Sequence, residues 1–407
     1  MASIKLKHSG GNGVIIAAPT SNPASDKTLT LPSDVDGTVV SKDSSNSLQN
    51  IAGINGGQLG NRNRVINGSM IVNQRASSYT ATGEEYTLDR FHHRTGSGFT
   101  FDTTTTQDSS APDGFTKSLK ITPDSTQTPT GSHNGVIAQL IEADNLIGFA
   151  SGTSSAKKFV LSFYAKSASQ NNNHQYSVQL SKKNSSSQFY YQNRSFTVTS
   201  SWQRFTVAFS ADTSNNIITG NGEGLRIMWH LAAGPDDIAS AVTSWTSGDV
   251  NAAVTGQSNF MDNTSNEFYL TGVQLEASDS DVATDFEHRS FGQELALCQR
   301  YFCAYGSPID TISSGNKAGA GMSAASNQAV IMIATGSKMR ANPSVSSSNV
   351  TVNDAAAGPD IASVSSARAY NGFVQLDLTT NPSNLTTGNA AMLRFESTSY
   401  LHFSAEL

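Results

Sequence analysis

Cysteine is nearly absent: Cys298 and Cys303 are the only two in 407 residues. On a helix, residues five apart point about 140° from one another, so the pair cannot bridge locally. Stability then has to come from packing or from association of chains. Charge is scarce too, at 14% of residues against roughly 25% in ordinary soluble domains. The balance of 26 basic and 32 acidic residues gives a net charge of −6, with no basic cluster beyond Lys5, Lys7 and His8. Counterion release from nucleic acid needs several clustered cations, so no nucleic-acid partner is expected. The longest apolar run, Ala329-Val-Ile-Met-Ile-Ala334, is far short of the roughly 20 residues of a membrane span, so membrane insertion is not expected. The first residues lack the apolar stretch of a signal peptide, so the general secretory route is not expected either.

What fills the sequence instead is Ser, Thr, Asn and Gly, which favour turns and strands over helices. Alternation of apolar and polar residues then marks strands. Phe159, Leu161, Phe163 and Ala165 fall on one face, with Val160, Ser162, Tyr164 and Lys166 on the other. Phe205, Val207 and Phe209 oppose Trp202, Arg204 and Thr206, while Leu225, Ile227, Trp229 and Leu231 oppose Arg226, Met228 and His230. Similar runs at 118–122, 136–142, 176–180 and 268–275 complete the set. Strands with one buried face each, separated by Ser/Asn/Gly loops, predict an all-β fold, most simply a jelly-roll-like β-sandwich over residues 61–290.

Two further parts flank it. Residues 1–60 alternate at 3–7, turn through Gly10-Gly-Asn-Gly13, and resume at 14–18, 28–31 and 35–40, with a Gly-rich linker from Asn50 to Asn63. So small a segment cannot bury a core alone and is expected to fold against copies of itself or a partner. Residues 291–407 open with one predicted helix, capped by Ser290 with Gln293 and striped by Phe291, Leu295, Cys298 and Phe302. A smaller β domain follows, with strands at 328–333, 373–378, 391–395 and 400–403.

Chemistry is harder to find. Glu84-Glu85, Asp236-Asp237 and Asp279 with Asp281 are the only obvious paired carboxylates a glycosidase would need, and each lies in a polar stretch that reads as a solvated turn. There is no Gly-x-Ser-x-Gly elbow and no β-helix period. Gly10-Gly-Asn-Gly13 precedes a strand and so is a turn, not a phosphate loop. His92-His93 lacks a third ligand at a zinc-like spacing. No enzyme activity and no cofactor are expected. Loop Asp and Asn oxygens are of the kind that hold structural calcium, but no Asp-x-Asp-x-Asp-Gly pattern locates a site, and metal content stays open.

A sugar-binding surface needs aromatic planes beside hydrogen-bonding and charged groups. The alternation places Tyr164, Lys166, Trp202, Arg204, Arg226 and His230 on faces opposite the core, and these are the candidate contacts. Tyr190 and Tyr191, in a Ser/Asn-rich region, join them. The competing reading makes Trp202 a lid over the sandwich edge and the tyrosine pair ordinary strand packing; loops of the C-terminal domain are the other candidate contact.

Several motifs resemble those of bacteriophage tail-fibre proteins, in order along the chain: Asn61-Arg-Asn-Arg-Val-Ile-Asn-Gly-Ser-Met70, Tyr86-Thr-Leu-Asp-Arg-Phe91, Gly272-Val-Gln-Leu-Glu276, the stretch from Phe286 to Leu297-Cys-Gln-Arg-Tyr301, and Met339-Arg-Ala-Asn-Pro-Ser-Val345. The start, Met1-Ala-Ser-Ile-Lys-Leu-Lys-His-Ser-Gly10 with Ala18-Pro19, resembles the N-terminal segment of appendage proteins in marine and cyanobacterial phages. The resemblance implies a homotrimeric virion appendage, made in the bacterial cytoplasm. Residues 1–60 would dock it to tail or other virion proteins, and its outer domains would contact host surface polysaccharide or a protein receptor. A capsid decoration or tail adaptor without receptor binding is the alternative, and a polysaccharide depolymerase a more distant one.

Overall fold

The computed structural model describes the backbone at 3–7, 13–17, 41–42 and 48–49, and residues 60–76, 78–306, 316–354, 360–381 and 383–407. Two compact units divide the chain, Met1–Ile51 and Ala52–Leu407. In the first, β1 (Ser3–Lys7) and β2 (Gly13–Ala17) form an antiparallel hairpin that pairs Ile4 with Ile16 and Leu6 with Val14. The short strands β3 (Ser41–Lys42) and β4 (Leu48–Gln49) pair likewise. The strands expected at 28–31 and 35–40 lie outside the described residues.

The second unit begins with a two-sheet β-sandwich. Its strands are β5 (Ser78–Ala81), β6 (Glu85–Tyr86), β7 (His92–Gly96), β8 (Thr103–Asp108), β9 (Ser118–Pro123), β10 (Asn134–Glu142), β11 (Lys158–Ser167), β12 (Gln175–Lys183), β13 (Phe189–Thr197), β14 (Gln203–Phe209), β15 (Glu223–Ala233), β16 (Ile238–Ala239), β17 (Thr246–Ser247), β18 (Ala253–Val254) and β19 (Phe268–Ser278). One sheet runs β17-β13-β12-β15-β10-β7-β6 and the other β14-β11-β19-β9-β8-β5. The chain crosses between them at β5 to β6, β7 to β8, β9 to β10, β10 to β11, β11 to β12, β13 to β14 and β14 to β15, and returns from β17 to β19. The predicted apolar faces meet between the sheets: Phe159, Leu161 and Phe163 from one, Leu225, Ile227 and Trp229 from the other, all fully buried. Phe163 meets Trp229 edge-on at 5.7 Å.

Beyond β19 lie the helix α1 (Phe291–Gln299) and strands β20 (Phe302–Gly306), β21 (Lys317–Ala325), β22 (Gln328–Ala334), β23 (Ser344–Asp354), β24 (Asp360–Ala369), β25 (Phe373–Asn381) and β26 (Ala390–Ser404). The strands expected at 391–395 and 400–403 are one continuous strand, because β26 pairs with β23 along most of its length. On its other edge β26 takes β21 and then β20. The ring β26-β21-β22-β25-β24-β23 therefore closes on itself, a barrel that removes sheet edges. Ile331, Ile333, Val374, Leu376, Leu393 and Phe403 fill it.

The helix has the predicted capping box, Ser290 with Gln293. Its stripe differs from expectation. The helix ends at Gln299, Phe302 belongs to β20, and Phe291 is 57% exposed. The buried side is Glu294 and Cys298, and Cys298 packs with Tyr301, Ile66 and Val72 of the same chain. Glu294 is covered because it accepts the Asn67 N–H at 2.5 Å. The helix thus turns Cys298 toward the sandwich and leaves Phe291 and Ala296 exposed. The linker reading also stops short: Asn63 is buried, its amide donating to Val273 O at 3.0 Å.

Candidate functional site

The outer face of the six-stranded sheet carries a single rung of side chains across its whole width. Lys166 on β11 stands opposite Tyr269 on β19, Tyr269 opposite Lys120 on β9, Lys120 opposite Thr106 on β8, and Thr106 opposite Ser78 on β5. Trp202 precedes Gln203, which pairs with Ala165, so its indole falls beside Lys166. Directly opposed residues share a face, and their inward neighbours Ala165, Phe268, Leu270 and Ile121 belong to the core.

The rung is held together by its own chemistry. The Lys166 ammonium lies 4.4 Å from the Tyr269 ring centroid and 5.4 Å from that of Trp202, and the two rings meet edge-on at 6.0 Å. Lys120 pairs with Glu267 at 2.6 Å, and Tyr269 donates its hydroxyl to Glu267 at 2.9 Å. Burial works against the charge on Lys120, but the Glu267 carboxylate and the Tyr269 hydroxyl outweigh it and raise its pKa. Burial likewise opposes the charge on Glu267, and its bonds to Lys120 and Tyr269 hold it below the usual carboxylate range. Trp202 and Lys166 are half-buried, and Lys166 also donates to Ser110 Oγ at 2.8 Å.

The next part of the same face is covered. Residues 284–288 cross it as a strap: Gln274 Nε2 donates to Asp285 O at 3.2 Å, Glu287 N–H donates to Gln274 Oε1 at 2.8 Å, and Arg204 donates to Thr284 O. Phe115 packs at 5.4 Å on Tyr164 and at 5.2 Å on His288. Gly272 sits beneath at φ 60°, where a Cβ would lie 2.8 Å from both the Phe115 and Tyr164 rings. Only glycine permits that left-handed bend together with that approach. The strap leaves the rung as the less covered half of the face, with Trp202, Lys166 and Lys120 half-buried at its surface and Tyr269 nearly buried between them at 7% exposure.

Of the residues singled out from the sequence, Tyr164, Lys166, Trp202 and Arg204 share this face, although Tyr164 supports Phe115 and Arg204 holds the strap. The others lie on the opposite sheet. Arg226 is tied to Glu223 and, at 2.6 Å, to Asp249, with its guanidinium 4.1 Å above the Phe189 ring. Tyr190 and Tyr191 are half-buried on β13 between β12 and β17. His230 is a correction: it is wholly buried and out of a ligand's reach. Alternation places it on the outer face, but Gln257, which donates to His230 O at 2.8 Å, belongs to a loop folded over that face. Its Nε2 lies 3.1 Å from Gln179 Oε1, and burial depresses its pKa to about 3. His93 is also buried, with ring nitrogens 2.6 Å from Gly83 O and 2.7 Å from Phe101 O. Among the described residues no three His, Cys, Asp or Glu side chains converge as metal ligands.

Three of the six paired carboxylates face cations, while Asp236 and Asp237 make no ion pair among the described residues and burial raises the Asp237 pKa. Asp279 takes Lys157 at 2.8 Å, Asp281 takes Lys158 at 2.9 Å, and Glu84 lies 3.5 Å from Arg94. Sequence reasoning missed Tyr269, Lys120 and Glu267. Tyr269 alternates against Phe268 and Leu270 and was open to detection, but its meeting with Lys166 depends on strand register.

No family model matches the chain, and no curated protein matches it. Among solved structures it is similar to a putative sugar binding protein from Bacteroides thetaiotaomicron VPI-5482, at 12% identity over 53% of this chain and 100% of that one, with a TM-score of 0.30. It is similar also to the enzymatically active domain of Bacteriophage CBA120 tailspike protein 4, at 12% identity over 53% of this chain and 21% of that one, with a TM-score of 0.26. A family 11 carbohydrate-binding module of a cellulosomal cellulase from Clostridium thermocellum gives 12% identity, 53% and 99% coverage, and a TM-score of 0.25. At these scores the assignment of a β-sandwich rests on the strand order and core described above.

Proposed function

We propose that the chain is a non-enzymatic glycan-binding protein, and that it serves as a tail-fibre-like phage appendage docked to the virion through residues 1–60. The observation that carries the first part is the half-buried Trp202, flanked by Lys166 and Lys120 and backed by the nearly buried Tyr269. Aromatic edges offer apolar contact to the C–H faces of a sugar ring, and the adjacent ammonium, carboxylate and hydroxyl groups supply directional bonds. The ion pairs at Asp279, Asp281 and Glu84 support a binding role over hydrolysis and leave Asp236–Asp237 as the pair on which the depolymerase alternative rests. The virion part rests on the sequence resemblance alone.

Binding to an array of bacterial surface polysaccharides tests the reading. Trp202→Ala and Tyr269→Ala are each expected to weaken binding about tenfold, the scale of one lost aromatic contact near 1.4 kcal/mol. Unchanged binding in both variants would remove the rung from the site. No polysaccharide bound would favour a decoration or adaptor, and released sugar would favour a depolymerase.

The homotrimer belongs to the same reading. Its support is the outer wall of the barrel, where the rungs Met332–Ala320–Met392 and Val330–Met322–Ala390 carry no charge. Met322 is 52% exposed, and a patch of this kind is a contact surface for another chain. Light scattering should give a mass near three times 43.0 kDa, with Met322→Lys shifting it toward one copy. A monomeric wild-type chain would end the trimeric reading.

A further inference from the structure

A cavity of about 770 Å³ lies where the strap, the helix α1 and a barrel loop meet. Its volume is in the range of sites for small organic ligands, about 300–1,000 Å³. Ala296 and Leu297 of α1 supply apolar surface, with His288 and Arg289 from the strap and Ser337 and Lys338 from the loop after β22. A smaller hollow of about 270 Å³ shares Asn61, Arg289 and Leu297 with it.

The walls are fixed. Ser337 donates to Ala296 O at 3.0 Å, and Arg340 N–H donates to Arg300 O at 2.8 Å, joining the loop to the end of the helix. Two of the cations that line the cavity are already engaged. Arg300 pairs with Glu142 at 2.5 Å, and Arg289 bonds Val65 O at 3.0 Å and lies 3.4 Å from Glu294. Their charges are offset by those carboxylates, and the bonds hold both side chains in place as walls of the cavity. Lys338 is exposed and makes no ion pair among the described residues. The one carboxylate in the lining, Glu287, already accepts the Asn63 N–H at 2.8 Å. Gln293 accepts from Ser290 through its Oε1, which leaves its amide N–H groups for another acceptor.

We infer that this junction cavity is a second binding site, taking a sugar ring that bears a carboxylate. Lys338, the lining cation that makes no ion pair among the described residues, and the amide N–H groups of Gln293 are the groups that select an anion. The volume and the apolar surface of Ala296 and Leu297 are too large for a bare ion and fit a ring stacked along one side. The carboxylate sits at Lys338, with hydroxyls toward Gln293 and Asn61. This inference does not need the Trp202 rung to bind, and its test keeps the two apart.

Calorimetric titration of the full chain with glucuronate, galacturonate and N-acetylneuraminate, against glucose, galactose and N-acetylglucosamine, reads the selectivity. Binding of at least one acidic sugar is expected, with its neutral counterparts at least tenfold weaker and the affinity falling as salt rises. Lys338→Glu should weaken that binding about tenfold or more, a charge reversal beside the carboxylate. Ala296→Trp, on an exposed helix position, should abolish it by filling the cavity, and Trp202→Ala should leave it unchanged. Circular dichroism of each variant confirms folding, and Lys338→Gln supplies a second, milder surface change. The inference is overturned if none of the three acidic sugars binds at millimolar concentration. It is overturned equally if neutral sugars bind as well, or if affinity survives both Lys338→Glu and Ala296→Trp. Loss on Trp202→Ala alone would return the acidic sugar to the rung.

Discussion

Replacing Glu406 with alanine should destabilise the second unit by about 3–5 kcal/mol, the range for breaking a buried ion pair from one side. Glu406, next to last in the sequence, lies between two arginines of the sandwich. One oxygen takes Arg75 at 2.7 Å, and the other takes Arg90. Arg90 is 1% exposed and has few other partners: Leu140 O at 2.5 Å and the Tyr301 ring, whose centroid is 3.6 Å from its guanidinium. Burial works against that charge, and Glu406 is the chief group offsetting it, so the Arg90 pKa is held above its ordinary value. Arginine cannot escape by losing its proton. Without the carboxylate, the charge stays buried and unpaired.

The contact also fastens the last strand of the barrel to the sandwich. Tyr86 donates to Leu407 O at 3.0 Å, while Arg340 donates to Ala405 O at 2.8 Å and to Glu406 O at 2.7 Å. Urea unfolding of Glu406→Ala, of Arg90→Met and of the double variant closes a thermodynamic cycle. The double variant should lose less than the sum of the singles, because the most deeply buried charge leaves together with its partner and only Arg75, nearer the surface, loses its carboxylate. Additive losses, or a loss under 1 kcal/mol in Glu406→Ala, would show that solvent already reaches the pair.

The motifs that resemble phage tail-fibre proteins meet in this same region. Asn67 donates to Asp89 O at 3.1 Å, and Arg90 stacks on Tyr301. Asn63 reaches Val273, and Gln274 receives the Glu287 N–H. The stretches 61–70, 86–91, 272–276 and 286–301 form one buried polar girdle that closes the sandwich and seats the helix. Their residue types are set by hydrogen bonding in the interior, so they speak of architecture more than of ligand. The strands were legible because the alternation of Phe159, Leu161 and Phe163, or of Leu225, Ile227 and Trp229, follows from burying one face of a sheet. The barrel closure was not, since it depends on β26 pairing along both edges, which no local pattern encodes. Half of the rung was legible for the same reason as the strands. Tyr269 and Lys120 join Lys166 only through register, and His230 alternates as an outward residue yet is covered by a loop distant in sequence. The junction cavity is further still from sequence reasoning, with walls from three elements spread between Asn61 and Lys338.

Acid should begin to destabilise this chain above the pH at which ordinary carboxylates titrate. His230 and His92 both have pKa values depressed to about 3. For His230 the cause is burial first, then the nearby Arg94; for His92 it is burial, then Arg94 and His93. Burial also lowers His93, against the pull of two carbonyls, and lowers His402 beside Arg75. An unfolded histidine binds its proton near pH 6.5, so between that value and about 3 the unfolded chain holds protons that the folded one refuses. Stability is therefore complete above pH 6.5 and falls as the pH drops toward 3. At pH 4.5 each of these two histidines, His230 and His92, removes about 2–3 kcal/mol, at about 1.4 kcal/mol for each pH unit below 6.5. Glu142 and Asp212 are opposed by burial, yet hydrogen bonds to Arg300 and Lys182 hold both below their ordinary values, so their contribution is lost at lower pH still. Asp89 runs the other way: burial raises its pKa, and its protonation favours the fold as the pH drops. The net expectation is a loss of about 5 kcal/mol between pH 7.5 and 4.5 in urea unfolding. His230→Gln should flatten the slope by nearly one proton over pH 4–6. A level profile, or an unchanged slope in that variant, would mean that His230 takes up its proton inside the sheet and that the loop over it opens readily.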